Sequence, residues 1–134
     1  MHLLDVNVLI ASVDDAHVGH HRASRWFLEN HMDGWATCPL TENGFVRILG
    51  NSNYPDGAGS TEQAREMLST LCQQPGHRFL PDDISIRDPK LIFFPAGSRQ
   101  ITDVYLLGLA VSHQALIVTL DKKIPVERVA GGRD

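Results

Sequence analysis

Apolar residues along the chain fall into short runs typical of buried strands and longer stretches with helical spacing. The short runs predict strands at 2–6, 35–38, 77–80 and 116–120. The longer stretches predict helices at 7–13, 18–31, 39–49, 60–74 and 101–113. Strands that alternate with helices indicate a mostly parallel sheet with helices on both faces. The pattern therefore predicts an α/β fold, in which strand 116–120 and the almost wholly apolar helix 101–113 are buried.

Capping residues support two of these helix boundaries. Pro39 suits the first turn of a helix, because its fixed φ is helical and it has no N–H to leave unpaired. Ser60 and Gln63 have the spacing of a capping box, which predicts a helix start there. Glycines, prolines and small polar residues predict a loop at 50–59. The stretch 81–97 predicts no definite element.

Length and composition favour one domain. The chain has 134 residues, of which 43% are hydrophobic and 21% charged, enough apolar material for one core. We therefore expect a single domain over residues 1–134. No apolar stretch approaches the roughly 20 residues that cross a bilayer, and the run 2–13 lacks the basic leader of a signal peptide. Cys38 and Cys72 form no CxxC motif, so neither a zinc motif nor a disulfide framework is indicated. We expect a cytoplasmic protein with reduced thiols.

Four acidic residues stand at positions where strands end or helices begin. Asp5 and Asp121 end predicted strands, and Glu42 and Asp103 lie in the first turns of predicted helices. Ligands of open α/β sheets bind outside the carboxyl ends of the strands, so these carboxylates can share one edge. Clustered carboxylates repel one another unless a cation lies among them, and Mg²⁺ or Mn²⁺ prefers such oxygen ligands. A metal held this way can hydrolyse a phosphodiester.

The overall charge at first opposes a nucleic-acid substrate. The formal net charge is −4, from 16 acidic and 12 basic residues, whereas phosphate is normally contacted by a basic surface. If a divalent metal masks the four clustered acids, the remaining acidic and basic residues are equal in number. Phosphate contact is then compatible with the composition.

Four segments together resemble the acidic motifs of a known family. They are LLDVNVLI at 3–10, TENGFVRIL at 41–49, ITDVYLL at 101–107 and TLD at 119–121. In order and spacing, over nearly the whole chain, they are similar to the motifs of PIN-domain proteins of the VapC toxin type. The resemblance implies a PIN-like three-layer α/β/α sandwich with a central, mostly parallel sheet.

The resemblance also implies a function and roles for the acidic residues. It implies the toxin of a type II toxin–antitoxin system, an Mg²⁺- or Mn²⁺-dependent endoribonuclease that cuts cellular RNA such as tRNA or rRNA. A cognate antitoxin protein and a homodimer are the implied partners. By motif match, Asp5 and Asp103 are the principal metal ligands, and Glu42 and Asp121 complete the cluster directly or through water.

Two further residues are implied as supports of the site. Asn7 can hold Asp5 in place, and Thr119 can be its polar neighbour. Leu120 departs from the pattern, since relatives often carry an aromatic residue there, and the RNA target is left open.

Two alternative functions follow from the same residues. A phosphatase of the haloacid dehalogenase type also begins with an aspartate after its first strand, but it needs a second aspartate where Asn7 stands. A PIN-like module that binds RNA or protein without cutting is the other alternative. Four intact carboxylates argue against it, because a domain without catalysis has no physical need for mutually repelling acids.

Overall fold

Four strands and five helices are formed by residues 1–91 and 97–121, which are the residues that the computed structural model describes. The strands are β1 (His2–Leu4), β2 (Trp35–Thr37), β3 (His77–Phe79) and β4 (Leu116–Val118). The helices are α1 (Val6–Val13), α2 (His20–Asn30), α3 (Pro39–Leu49), α4 (Thr61–Leu71) and α5 (Ile101–Ser112). Short 3₁₀ turns at His31–Asp33 and Ser98–Gln100 flank α2 and α5.

The strands form one parallel sheet in the order β3-β2-β1-β4. His2 is aligned with Trp35 on one side and with Leu116 on the other. All four strands therefore end at the same edge, and β1 lies beside β4 although the two are far apart in sequence. This arrangement brings the residues that follow Leu4 next to those that follow Val118.

Helices cover both faces of the sheet and form two apolar clusters. On one face, Leu3 and Ala36 pack with the buried residues of α5. On the other face, Leu4 and Trp35 pack with the helices α1 to α4. Leu3 and Leu4 thus point to opposite faces, as neighbouring residues of a strand must. The predicted three-layer α/β/α sandwich is confirmed, and its described strands are all parallel.

Local hydrogen bonds fix where the helices begin. Asp5 Oδ1 accepts from the backbone N–H of Val6 at 2.7 Å, so β1 ends at Leu4 instead of extending to residue 6. Ser60 Oγ accepts from the N–H of Gln63 at 3.1 Å, which caps α4 where the sequence predicts. Helix α3 spans the predicted range, with Glu42 in its first turn.

The prediction of a buried strand at 116–120 is wrong in two respects. The strand ends at Val118, and Leu116 is 55% exposed, because β4 lies at the edge of the described sheet. An apolar run has the same appearance in a central strand and in an edge strand. Beyond the strand, Thr119 and Leu120 make hydrogen bonds with Asp5 and Asn7 at the start of α1.

The stretch that predicted no element has a structure of its own up to residue 91. Turns at 81–90 run along α5, where Tyr105 donates to the Ile84 carbonyl at 3.4 Å and His113 lies 2.9 Å from Asp83. Leu91 is buried against α5. Residues 92–96 lie outside the described part of the chain.

Among the described helices, none combines the length and the apolar character that a membrane span needs.

Gly76, which joins α4 to β3, is a position that only glycine fits without strain. Its φ is +90°, and a Cβ there would lie 2.1 Å from the carbonyl oxygen of His31. We expect Gly76→Ala to lower the free energy of unfolding by about 1–3 kcal/mol, since both the backbone conformation and the contact become strained. Urea denaturation measures this change.

Gly97→Ala is the matched control. Its φ is −78°, and no described atom lies within 4 Å of the added Cβ. If Gly76→Ala is as stable as Gly97→Ala, the close approach of Gly76 to His31 does not exist in solution.

Candidate active site

Asp5 is fixed at the junction of β1, α1 and β4. Its backbone N–H donates to the carbonyl of Val118 at 2.9 Å, which ties the end of β1 to the end of β4. Its side chain is only 8% exposed. Oδ1 accepts from Val6 N–H at 2.7 Å, and Oδ2 accepts from the hydroxyl of Thr119 at 2.9 Å. Both carboxylate oxygens are therefore held, and the side chain cannot rotate without breaking a hydrogen bond.

Asn7 and Thr119 connect the first turn of α1 to the segment that follows β4. The side-chain amide of Asn7 donates to Thr119 Oγ1 at 3.2 Å, and its oxygen accepts from the N–H of Leu120 at 3.2 Å. Thr119 Oγ1 also accepts from the N–H of Asp121 at 3.0 Å. The Thr119 hydroxyl thus donates once and accepts twice, which uses its full capacity. These bonds set the position of residues 119–121 relative to Asp5.

Asp103, in the first turn of α5, lies close enough to two other carboxylates to respond to their charge. Burial, and then the charges of Asp5 and Asp121, raise the pKa of Asp103 to about 6. The pKa of Asp5 is also raised, chiefly by burial and in a smaller part by Asp121, while hydrogen bonds from Thr119 and Val6 act in the opposite direction. Asp5, Asp103 and Asp121 therefore form one electrostatically coupled group, which we call the carboxylate cluster.

The carboxylate cluster has the chemistry of a site for a hard divalent cation. Within residues 1–91 and 97–121, the one salt bridge joins His113 and Asp83, so no described basic side chain forms a salt bridge with Asp5 or Asp103. Carboxylates that lie close together repel one another unless a cation lies among them. Oxygen donors from a few carboxylates, with room for water, are what Mg²⁺ and Mn²⁺ prefer. The residues fit the metal that the sequence predicts.

Glu42 makes its hydrogen bond at the end of the neighbouring strand β2. Its Oε2 accepts from the hydroxyl of Thr37 at 2.7 Å, at the carboxyl end of β2. The same hydroxyl lies 2.8 Å from His77 Nε2, and the charge of Glu42 is felt by Cys72 and His77. The structure thus brings Asp5, Asp103 and Asp121 together and gives Glu42 different neighbours. A role for Glu42 beside the other acids stays a prediction.

Three residues of this second group were not singled out by the sequence. Thr37 follows the same rule as Asp5, since it ends a strand of the parallel sheet, and that rule was a usable signal for it. Cys72 and His77 come from the end of α4 and the start of β3, and the parallel pairing of β2 with β3 brings His77 beside Thr37. Their spacing matches no ligand motif.

Comparisons with known proteins agree with this geometry. The PIN domain family model matches residues 2–132. Ribonuclease VapC38 of Mycobacterium tuberculosis is 46% identical over 121 residues, which cover 90% of this chain and 85% of the relative. Ribonuclease VapC44 of the same organism is 40% identical over 131 residues, covering 96% and 92%. Ribonuclease VapC39 is 38% identical over 136 aligned residues, covering 96% and 94%.

The family match spans almost the whole chain, and these relatives align over most of their own length. The chain belongs to the PIN-domain family and, within it, to the VapC proteins.

Proposed function

We propose that this chain is a divalent-metal-dependent endoribonuclease, the toxin of a type II toxin–antitoxin system, that hydrolyses phosphodiester bonds of cellular RNA. One observation carries the proposal: a buried carboxylate, Asp5, shares a site with Asp103 and Asp121 in which no described basic side chain forms a salt bridge with Asp5 or Asp103. Such a site favours a bound cation, and a cation among carboxylates at a strand edge suits phosphodiester chemistry. The relatives named ribonucleases support the same reaction.

Asp5 and Asp103 are the proposed principal ligands of Mg²⁺ or Mn²⁺, with Asp121 acting directly or through water. When bound, the metal supplies Lewis acidity for the attack of water on the phosphate and for departure of the leaving oxygen. Asp5 is suited to be a ligand because its hydrogen bonds from Val6 and Thr119 favour the ionised form and fix its direction. Asn7 holds Thr119, and through it Asp5.

We also propose that the protein is cytoplasmic, binds a cognate antitoxin and forms a homodimer. Cys38 and Cys72 are both free thiols, which supports a reducing cytoplasm, where RNA is also found. Val18, Leu28 and Met32, in and beside α2, are large apolar side chains that are mostly exposed. Exposed apolar groups of this kind support a protein contact surface, for a cognate antitoxin or for a second copy in a homodimer.

The first prediction concerns the metal ligands. Asp5→Asn and Asp103→Asn remove one negative charge each without changing side-chain size. We expect cleavage of total cellular RNA to fall by roughly 100-fold or more in either variant, above the 10–100-fold cost of losing a residue that only supports a ligand. Chelation by EDTA should abolish cutting, and Mn²⁺ or Mg²⁺ should restore it.

Three results would contradict this site. They are cutting that persists in EDTA, variants as active as the wild type, and a folded wild-type protein that retains RNA with Mn²⁺ and leaves it whole. The last result would favour the non-cleaving binding module.

The second prediction concerns Thr119 as a positioning residue. Thr119→Val keeps the shape of the side chain but removes its donor to Asp5 and its two acceptor bonds. We expect a 10–100-fold loss of Mn²⁺ affinity, the usual cost of losing a group that orients a metal ligand. Titration calorimetry with Mn²⁺ measures this loss. Thr70→Val, on the exposed surface of α4, is the matched control and should bind Mn²⁺ like the wild type. Equal affinities in both variants would remove Thr119 from the site.

The third prediction concerns the stability of the metal-free protein. The pKa of Asp103 is raised from 3.8 to about 6 in the fold, so the folded state binds the proton more tightly than the unfolded state. Metal-free stability must then fall as the pH rises from about 4 to about 6, and the penalty stays in full above that range. In EDTA above pH 6, Asp103→Asn should therefore raise the Tm. Because Asp103 is partly exposed, the rise is on the order of a few degrees.

Differential scanning fluorimetry compares the two proteins with and without Mn²⁺. Mn²⁺ should raise the Tm of the wild type strongly and that of Asp103→Asn weakly, because a ligand stabilises only the state that binds it. A wild type whose metal-free Tm exceeds that of the variant at every pH above 6 would show that Asp103 is not under charge repulsion.

A further inference from the structure

A second group of side chains that can bind a metal lies at the β2–β3 side of the sheet. Its members interact with different residues from those of the carboxylate cluster. Glu42 is in the first turn of α3, Cys72 caps the end of α4, and His77 begins β3. A carboxylate oxygen, a thiol sulfur and an imidazole nitrogen of these residues all lie within 4.8 Å of one another. Each side chain is partly buried, so an ion from solvent can reach them.

We propose that Glu42, Cys72 and His77 form a second metal site, which binds Zn²⁺ or a cation of similar preference. It differs from the carboxylate cluster in its donor atoms. Sulfur and imidazole nitrogen suit Zn²⁺, whereas Mg²⁺ requires oxygen ligands. Three protein ligands leave the fourth position of a tetrahedron to water.

The ligand atoms are grouped around the hydroxyl of Thr37. This hydroxyl donates to Glu42 Oε2 at 2.7 Å and lies 2.8 Å from His77 Nε2, and it also interacts with the thiol of Cys72. In a tetrahedral zinc site with bonds of about 2.0–2.3 Å, ligand atoms are about 3.3–3.8 Å apart. Because the ligand atoms lie up to 4.8 Å apart, the side chains must move together by about 1 Å on binding, and the ion replaces their hydrogen bonds with Thr37.

The surroundings hold His77 in place and leave the group negatively charged. The indole of Trp35 packs against the imidazole with ring centroids 4.7 Å apart, and Trp35 Nε1 donates to the carbonyl of Pro75 at 3.1 Å. Burial raises the pKa of the Cys72 thiol and lowers that of His77, and the charge of Glu42 raises both. A bound cation would replace the thiol proton, which is released to solvent.

The second site has a consequence for the proposed ribonuclease, and this consequence alone rests on the proposed function. Glu42 belongs by motif to the RNA-cutting site, but its observed hydrogen bond points it toward Thr37. A zinc ion bound to Cys72 and His77 would keep Glu42 there. Zn²⁺ would then inhibit cleavage by withholding one carboxylate, without competing for Asp5 or Asp103.

Cobalt spectroscopy tests binding independently of any activity. The full-length protein is freed of metal, kept reduced by a phosphine and titrated with Co²⁺, which reports a thiolate ligand by a charge-transfer band and tetrahedral coordination by intense visible bands. Zn²⁺ is then added to displace the cobalt. We expect both sets of bands at one equivalent in the wild type, and at least a tenfold loss of Co²⁺ affinity in Cys72→Ser and His77→Gln, each checked for folding by circular dichroism.

Three controls make the cobalt result specific to this site. The Cys72→Ser protein still contains the buried thiol of Cys38, so loss of the bands excludes Cys38 as their source. His113→Gln changes a histidine that pairs with Asp83 outside this group, and Asp103→Asn changes the carboxylate cluster. Both should keep the cobalt spectrum of the wild type.

The outcomes are distinct. Absence of a thiolate band in the folded wild type, or bands that persist undiminished in Cys72→Ser and His77→Gln, would overturn the proposal and leave a hydrogen-bonded group centred on Thr37. In the cleavage assay, Zn²⁺ should inhibit the wild type with Mg²⁺ present, and Cys72→Ser should cut normally and resist inhibition. A wild type that binds Co²⁺ through Cys72 but never cuts RNA would contradict the proposed function and leave the metal site intact.

Discussion

The carboxylate of Asp5 is buried where β1 ends and α1 begins, and a buried charge needs compensation. Two hydrogen bonds supply part of it, from the first N–H of α1 and from the hydroxyl of Thr119. The nearby charges of Asp103 and Asp121 are also negative, so they add to the charge that must be compensated. Parallel pairing of β1 with β4 enforces this proximity, so the fold itself creates the demand for a cation.

The same sheet edge holds two sets of donor atoms with different metal preferences. Among the described residues, carboxylate oxygens are grouped at the ends of β1 and β4, whereas ligand atoms of oxygen, nitrogen and sulfur are grouped beside β2 and β3. The type of ligand atom, more than affinity as such, determines whether a site selects a hard cation or a cation such as Zn²⁺. Glu42 connects the two groups, because its motif position assigns it to the first and its hydrogen bond to Thr37 joins it to the second.

The sequence predicted the features that rest on local pattern. Strand and helix periodicity gave the layered fold, and Pro39 and Ser60 marked helix starts that the structure confirms. Contacts between distant residues could not be predicted this way. The exposure of Leu116 depends on strand order, and the meeting of Thr37 with His77 depends on β2–β3 pairing. The metal-binding roles of the acidic residues stay predictions. A single domain over residues 1–134 also stays a prediction, and residues 92–96 and 122–134 lie outside the described part of the chain.

The most direct test of the metal site is a crystal structure of the protein grown with Mn²⁺, with the ion located by its anomalous scattering. The proposed site predicts an ion at roughly 2 Å from carboxylate oxygens of Asp5 and Asp103, with water completing its coordination. An anomalous peak elsewhere, with Asp5 and Asp103 free of metal at saturating Mn²⁺, would contradict the claim that their burial and mutual repulsion create the metal site.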